Sequence, residues 1–502
     1  MKKPTPMKQK QVGLIMVIFG IFCLIGPGVY FVFQSARITG IPELLPADET
    51  VAFIESTGRL PSEIELKINE TFGLFWERDI APWASGKAAL AFLSQTNGQE
   101  SKLVPYVFVE TNSPEKAFEF LKNYKNQGAA IKEKADCGTA AFDTPAISFA
   151  FWGKAVAIAP SSGGLQTLCD KQSALTKHLS NDIDFIRVRQ NLTKPFWVYL
   201  KPKQLPRESL ALIAKYFPRL PWINFSFKTL GMAIEKNENV WSGSSYAIND
   251  ENIPLIAEQS YRALLLPLLP PDSELVLSGQ NLPSQINKID SLIGKDKTAP
   301  RLATLLNLFA DKYLPGINFE KDLAPIMSSE SALSINGAKI LFITQLPDNT
   351  YLKMVENVRS VFAKTAATFS PKEREVILPD GTKAAELIPN PEGVRKFSED
   401  FNGVQINGFI FGQKGNSGEI YDSLVADKWI VSNDLPTLKK AIQLTKEPGI
   451  NFMESARYKD YLNPIMKNPE LLGMAVLPNG VFTFSKRTHS DHMETSFIFV
   501  IE

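Results

Sequence analysis

The sequence predicts an α+β fold, with one N-terminal transmembrane helix followed by two duplicated halves that contain mainly antiparallel sheets and packed helices. Three observations predict it. An uncharged apolar run lies near the N-terminus, the same landmarks recur in the same order in the two halves of the remaining chain, and short apolar strands outnumber amphipathic helices. Short turns between consecutive strands favour antiparallel pairing, and we expect the helices to cover one face of each sheet.

The transmembrane prediction rests on a run that begins at Val12, ends at Phe33 and contains no charged side chain. At about 1.5 Å per residue, this run forms a helix about 33 Å long, close to the hydrocarbon thickness of a bilayer. A cleaved signal peptide is the alternative, but it has an apolar core of about 7–15 residues followed by small residues. Here bulky residues continue to Phe33. A retained anchor that contacts the lipid bilayer is therefore favoured.

The flanking charges predict the orientation of this helix. Four lysines precede it, whereas Arg37 is the only charged residue between it and Glu43. Because positive flanks stay on the cytoplasmic side, residues 1–11 are predicted to be a cytoplasmic tail and residues 12–33 a single-pass transmembrane helix. Residues 34–502 are then exported.

The exported part contains an internal sequence repeat. Residues 44–49 (LLPADE) recur as residues 268–273 (LLPPDS), and each copy opens a strand. The tetrapeptide that begins at Asp79 (DIAP) returns at Asp322 (DLAP). Later strands, amphipathic helices and a final hairpin follow in the same order in both halves. The sequence therefore predicts repeat 1 over 44–250, a proline-stiffened linker over 251–267 and repeat 2 over 268–502.

Composition excludes several classes of function. The chain has 54 basic and 53 acidic residues, so it lacks the basic excess that nucleic-acid binding requires. Three histidines leave little for a histidine-rich metal site. Neither a P-loop nor a Gly-x-Gly-x-x-Gly sequence occurs, so no nucleotide cofactor is predicted.

Two motifs resemble sites but favour structural roles. Ser113 and Lys116 fit a Ser-x-x-Lys pattern, but the companion Lys-Thr-Gly and Ser-Asp-Asn motifs are absent, and Ser-Pro-Glu is typical of a helix start. Asp79 and Asp322 fit turns in which the carboxylate accepts backbone hydrogen bonds. We therefore assign no catalytic residue.

A cluster of His489, Asp491 and His492 offers three metal-ligand side chains within four residues. It falls at the expected tip of the last hairpin, where polar residues are usual, and His178 lies far away in the sequence. A solvated turn is the better interpretation, and no metal site is assigned.

Cys137 and Cys169 are the only cysteines of the exported part. Export would place them in an oxidising compartment, so we hypothesise one disulfide with a chain-entropy contribution of about 3–4 kcal/mol. Alkylation of both thiols without prior reduction, detected by mass spectrometry, would reject it.

The residues also carry a family resemblance. A lysine-rich N-terminus, one membrane helix, the sequence LPADE at a strand start and the turn-strand-turn-helix of residues 426–444 are similar to the bacterial "domain of unknown function" family thirty-three fifty-two. That family is common in cyanobacteria and consists of single-pass proteins with an exported domain. The resemblance implies the plasma or thylakoid membrane, with residues 34–502 in the periplasm or lumen, and it implies no catalytic residues.

Together these observations predict a non-enzymatic binding or scaffold module for a protein partner of the envelope or thylakoid. Two alternatives stay open: an exported hydrolase whose site is assembled from residues distant in sequence, and a carrier of an apolar ligand such as a lipid or pigment.

Overall fold

The computed structural model describes most of the chain from residue 40 onwards. The described ranges are 40–57, 62–97, 100–123, 132–134, 140–143, 147–152, 154–160, 177–205, 227–249, 262–293, 318–346, 351–413 and 416–501, with the single positions 165, 168, 170 and 304. The predicted membrane helix over 12–33, the linker residues 251–261, Cys137 and Cys169 lie outside these ranges. In the described part of the chain, no helix combines the length and the apolar character needed to span a bilayer.

The described residues form two compact units, each a mixture of helices with a large antiparallel sheet. Unit 1 takes its residues from 40–237, 241–249 and 489–495. Unit 2 takes its residues from 238–240, 262–488 and 496–501.

Unit 1 is built on an antiparallel sheet with the strand order β4-β5-β6-β7-β3-β2-β1-β8-β9-β10. The strands are β1 Thr50–Thr57, β2 Lys87–Asn97, β3 Glu100–Glu110, β4 Lys132–Lys134, β5 Ala140–Asp143, β6 Ser148–Trp152, β7 Ala155–Ala159, β8 Phe196–Leu200, β9 Phe227–Asn237 and β10 Val240–Asn249. The helices are α1 Ser62–Phe72, α2 Pro114–Asn123 and α3 Ile183–Asn191.

Helices cover both faces of this sheet. Alternate residues of β2 belong to different cores, because successive side chains of a strand point to opposite faces. Ala89 and Ala91 pack with Phe185 and Val188 of α3, whereas Leu90 packs with residues of α1 and α2. The expectation of helices on one face only is therefore wrong for unit 1, since β2 and its neighbours are apolar on both sides and need cover on both.

One close approach fixes α3 on the sheet. A Cβ atom at Gly231 of β9 would lie 2.2 Å from Val188 Cγ1 and 2.7 Å from Leu192 Cδ1. Only glycine leaves room for α3 at this distance from the strand.

Unit 2 is built on the strand order β16-β17-β18-β19-β13-β12-β11-β20-β21-β22. The strands are β11 Leu275–Gln280, β12 Glu330–Asn336, β13 Lys339–Gln345, β14 Lys372–Ile377, β15 Lys383–Ile388, β16 Arg395–Phe401, β17 Val404–Gln413, β18 Asn416–Val425, β19 Lys428–Ser432, β20 Leu471–Leu477, β21 Gly480–Thr488 and β22 His492–Ile501. The helices are α4 Leu282–Ile293, α5 Tyr351–Thr368 and α6 Leu435–Lys446.

The helices α5 and α6 lie on opposite faces of this second sheet. Ile430 of β19 shares a core with Leu438 of α6, whereas the neighbouring Trp429 shares a core with Val358 and Phe362 of α5. The sheet is thus covered on both sides here as well.

Short helical turns connect these elements. The 3₁₀ turns are Ile41–Leu44, Leu179–Asn181, Pro202–Gln204, Leu266–Leu268, Ala324–Met327, Pro391–Gly393, Phe452–Glu454 and Asn463–Ile465, and the π-helical turns are Trp76–Ile80, Phe319–Leu323 and Tyr458–Leu462. The hairpin β16–β17 closes through Asn402 and Gly403, whose φ angles of +56° and +73° suit a two-residue hairpin loop.

The strands β14 and β15 form a separate two-stranded sheet that the turn at Pro379-Asp380-Gly381 closes, and proline, aspartate and glycine in succession are typical turn residues. Its base is held firmly. Gly412 N–H donates to Ser370 Oγ over 2.7 Å, and Asn390 N–H donates to the Ala367 carbonyl over 2.9 Å.

Candidate functional site

The two aspartates that the repeat retains lie in π-helical turns with the same hydrogen bonds. Phe75 N–H donates to Asp79 Oδ2 over 2.8 Å, while Asp79 N–H donates to the Phe75 carbonyl over 2.7 Å. Asn318 and Asp322 make the corresponding bonds over 2.7 and 2.8 Å. The prediction that both carboxylates accept backbone hydrogen bonds in turns is confirmed.

The carboxylate of Asp79 is also held by its neighbour. Burial raises its pKa, but hydrogen bonds from Arg78 and from Phe75 N–H outweigh burial, so the pKa lies below the ordinary value. The Arg78 guanidinium contacts both carboxylate oxygens, at 2.6 and 2.7 Å. An anion with all its acceptors engaged is a structural group rather than a general base.

Ser113 lies immediately before α2, and Pro114 is the first residue of that helix. The Ser113 carbonyl accepts the first helical hydrogen bond, from Ala117 N–H at 3.1 Å. The predicted helix start is confirmed.

The turn over 489–492, which the sequence predicts to be exposed to solvent, is partly buried. His492 is the first residue of β22 and is 0% exposed, so the interpretation of this cluster as a solvated turn is wrong for His492. Its ring stacks on Tyr246, with centroids 5.5 Å apart at 16°, and on His489, with centroids 5.1 Å apart at 11°. Long-range packing buries a histidine that local sequence places at a hairpin tip.

Asp491 joins this histidine to helix α3. One carboxylate oxygen contacts Nδ1 of His492, and the other accepts a hydrogen bond from Arg187 of α3. The Asp491 carbonyl accepts from Asn249 N–H over 2.9 Å. These residues, with Tyr246, form what we call the buried histidine cluster, in which His492 and Tyr246 are buried and the Asp491 side chain is half exposed. All of them belong to unit 1.

The electrostatics of the buried histidine cluster keep His492 neutral. Burial lowers the pKa of His492 to about 4 from 6.5, more than the adjacent Asp491 carboxylate raises it. Burial raises the pKa of Asp491, but the bonds from Arg187 and His492 outweigh this and hold it below its ordinary value.

A histidine–aspartate pair can serve as a general base if a nucleophile contacts the free ring nitrogen. Here Nε2 of His492 is buried and has no hydrogen-bond partner. Within the described residues, the pair therefore activates no hydroxyl or thiol, and no described group of three or more histidine, cysteine, aspartate or glutamate side chains has the geometry of a metal site.

Further along α3, a second set of buried charges fastens the helix to the sheet. Trp197 Nε1–H donates to Glu55 over 3.1 Å, and the Arg189 guanidinium lies 3.8 Å from the same carboxylate and 4.8 Å from the Trp197 ring centre. At the start of α3, Asp182 accepts from Phe185 N–H over 3.2 Å and pairs with Lys201 over 3.4 Å.

Unit 2 has its own buried ion pair beneath α5. Asp422 accepts from both Arg359 nitrogens, Nε and a terminal one, over 2.7 Å, and from Trp429 Nε1–H over 2.8 Å. Burial raises the pKa of Asp422 more than Arg359 lowers it. This carboxylate is therefore stable as an anion only while the guanidinium stays beside it.

A second buried group in unit 2 is the Lys486 ammonium, which is 1% exposed and donates to Gln285 Oε1 over 2.5 Å. The Gln285 amide in turn donates to Glu470 over 3.4 Å. The three side chains tie α4 to the sheet.

One cavity of about 190 Å³ opens in unit 2 at the start of α6. It is lined by Pro270, Asp272, Ser334, Asn336, Lys339, Leu341, Pro436, Thr437 and Lys440. Its volume is below the range of about 300–1,000 Å³ typical of small-molecule sites. Lys339 in its lining pairs with Asp434 over 3.4 Å, and the Asn336 amide donates to Asp272.

Sequence reasoning missed Arg187, Tyr246 and Asn249, which contribute to the buried histidine cluster. Each lies in an ordinary helix or strand, and none belongs to a recognisable motif. Only the pairing of distant strands brings them to residues 489–495, so no signal in the local sequence marks them.

Comparison with known proteins gives a family but no activity. A family model described as "Protein of unknown function (DUF3352)" matches residues 62–360, more than half of the 502 residues. The structures of crystal forms I and III of TP0453 align at 9% identity and a TM-score of 0.30, over 43% of this chain and 81% and 82% of theirs. No curated protein shows significant similarity. By the family match, and in agreement with the resemblance of its sequence, the chain belongs to the DUF3352 family of proteins of unknown function.

Proposed function

We propose that this protein is a membrane-tethered, non-enzymatic binding module that holds a protein component of the envelope or thylakoid, and that the β14–β15 hairpin of unit 2 is its contact element. The observation that carries the proposal is the exposure of apolar side chains on this hairpin. Ile377, Leu378 and Leu387 are 72%, 43% and 65% exposed.

An isolated hairpin gains little stability from its own two strands. Its cross-strand ion pairs, Arg374–Glu386 and Glu375–Lys383, each measure 2.7 Å but are exposed, so their contribution is about 0–1 kcal/mol each. The hairpin thus exposes large apolar side chains to water although its own strands stabilise it little. Such a surface is typical of a site that a partner covers.

The hairpin suits a protein partner in particular. Among the described residues, each strand pairs only with the other, so both outer edges present unpaired backbone groups to which another strand can add. The charged residues along it are of both signs, which gives it no general attraction to anionic lipid.

Affinity purification in mild detergent tests this proposal. We expect wild-type protein to retain a stoichiometric partner, and Ile377→Asp to weaken retention at least about tenfold because a buried apolar anchor becomes a charge. Ile450→Asp is the matched control, since Ile450 is 73% exposed but lies outside the hairpin. Equal retention by all three proteins would contradict the proposal, and copurification of lipid or pigment alone would favour a carrier.

We also propose that the two units descend from one duplicated ancestor. The two strand orders correspond position by position, from β4 with β16 through β10 with β22, and among the described strands only β14 and β15 are additional. The rare π-helical turns at Asp79 and Asp322, with their identical reciprocal bonds, support the same origin. A superposition of experimental structures of the two units, strand for strand, tests it; unrelated backbone paths would reject it.

The tether itself rests on the uncharged run from Val12 to Phe33. We expect the protein to stay in the membrane fraction after alkaline carbonate extraction. We also expect a protease added outside to digest residues 34–502. A protein released by carbonate would contradict the tether.

A further inference from the structure

The segment His489–Thr495 has an unusual place in the chain. It belongs to unit 1, whereas the residues on either side of it belong to unit 2. The described contacts that hold the segment in unit 1 include the pairing of β22 with β10, the Arg187–Asp491 ion pair, the backbone bond from Asn249 N–H to the Asp491 carbonyl, and the stack of His492 on Tyr246. Most of these involve His492 or the residue next to it.

The hydrogen-bond geometry fixes the tautomer of His492. Asp491 is an ionised carboxylate that can only accept, so the ring proton of neutral His492 lies on Nδ1, where the Asp491 oxygen receives it. Nε2 then carries a bare lone pair. That atom is buried and has no hydrogen-bond partner among the described residues.

Protonation of His492 turns Nε2 from an acceptor into a donor. A second proton has to occupy Nε2, where it becomes a buried donor without an acceptor on a ring that has become a cation. The charged and titratable groups around the ring are Asp491 beside it, His489 stacked on it, Arg187 from α3, Tyr246 from β10 and Glu494 two residues on. The single nearby carboxylate that contacts the ring is already shared with Arg187.

We propose that the segment His489–Thr495 is an acid-released latch: one proton bound at Nε2 of His492 detaches the segment from α3 and β10 of unit 1. Release separates the start of β22 from β10, lets Nε2–H reach water, breaks the Arg187–Asp491 pair and exposes the Tyr246 ring. Asp491 does not respond in the same range, because its pKa lies below its ordinary value and it stays ionised.

The size of the response follows from the two protonation constants of His492. With a pKa of 6.5 when released and about 4 when latched, acidification from pH 7.5 to pH 5 raises the opening equilibrium about 30-fold.

Hydrogen exchange of the full-length protein in detergent tests the latch. Exchange times are scaled for the intrinsic pH dependence, and the peptide that spans residues 485–497 is compared at pH 7.5 and pH 5. In wild type we expect its protection to fall about 30-fold at pH 5 while a β1–β2 peptide keeps its protection. His492→Gln, which cannot bind the proton, should make the peptide independent of pH.

Two further variants keep the test specific. His178→Gln and His489→Gln should both retain the response, and a response lost in His489→Gln but kept in His492→Gln overturns the proposal. Unchanged protection of the wild-type peptide at pH 5 also overturns it. If His492→Gln is already released at pH 7.5, the ring signals of the three histidines settle the matter by NMR. A wild-type His492 that titrates near 6.5 with its peptide still protected rejects the latch.

Discussion

Replacement of Arg359 in α5 should destabilise unit 2, because it leaves the buried carboxylate of Asp422 without its cation. In Arg359→Leu, Asp422 loses both guanidinium bonds of 2.7 Å and keeps only the bond from Trp429 Nε1–H. The side chains of Arg359 and Asp422 are 18% and 3% exposed, so solvent screens the pair little. Loss of one partner of such a pair costs about 3–5 kcal/mol, and we expect about 3 kcal/mol because the Trp429 bond remains.

A second substitution distinguishes the cost of the unpaired Asp422 carboxylate from the cost of lost Arg359 packing. Asp422→Asn in the same protein removes the charge but keeps an acceptor for Trp429, and should restore at least about 1.5 kcal/mol. Burial already places the Asp422 pKa above its ordinary value with Arg359 in place, and loss of the guanidinium raises it further. The loss in Arg359→Leu should therefore be full at neutral pH and shrink as the pH falls and Asp422 takes up a proton.

Hydrogen exchange of the α5 and β18 peptides in the full-length protein measures these free energies locally. Lys372→Leu is the control, since it breaks an ion pair with Glu392 in which the side chains are 47% and 86% exposed. We expect the control to stay within about 0.5 kcal/mol of wild type. A loss below about 1 kcal/mol in Arg359→Leu, or no recovery on adding Asp422→Asn, would refute the reasoning.

Three further outcomes follow from unit 1. Gly231→Ala should lower stability by about 1–3 kcal/mol, seen in thermal unfolding, because its Cβ would lie 2.2 Å from Val188 Cγ1. The depressed pKa of His492 should make unit 1 more stable as pH rises from about 4 to 6.5, by about 2 kcal/mol between pH 5 and 7.5, and His492→Gln should remove this term in denaturant titrations. Asp79→Asn should cost about 1–2 kcal/mol in the same assay by weakening the bond to Phe75 N–H, while leaving partner retention unchanged.

Local features of the fold could be predicted from the sequence because they depend on local periodicity and turn chemistry. The strand at Val51, the helix that begins at Pro114 and the hairpin closed by Gly381 all follow from patterns within a few residues. The same patterns do not say that both faces of β2 are covered, since its small alanines suit a sheet with one or two helix layers.

The buried histidine cluster could not be predicted for a related reason. Residues around His492 are polar and lie next to a hairpin turn, which locally indicates exposure. Their burial depends on Arg187 and Tyr246, which are hundreds of residues away in sequence.

The hairpin over 372–388 was predictable as a hairpin, but the exposure of Ile377 was not. Ile377 is exposed because it does not pack against the unit 2 cores, which only the three-dimensional structure reveals.

The most direct test of the proposed function is site-specific photo-crosslinking in the native membrane. A photoreactive amino acid in place of Ile377 should yield one discrete adduct with a membrane or envelope protein, whereas the same group in place of the equally exposed Ile450 should not. Absence of an adduct from position 377, or the same adducts from both positions, would contradict the account.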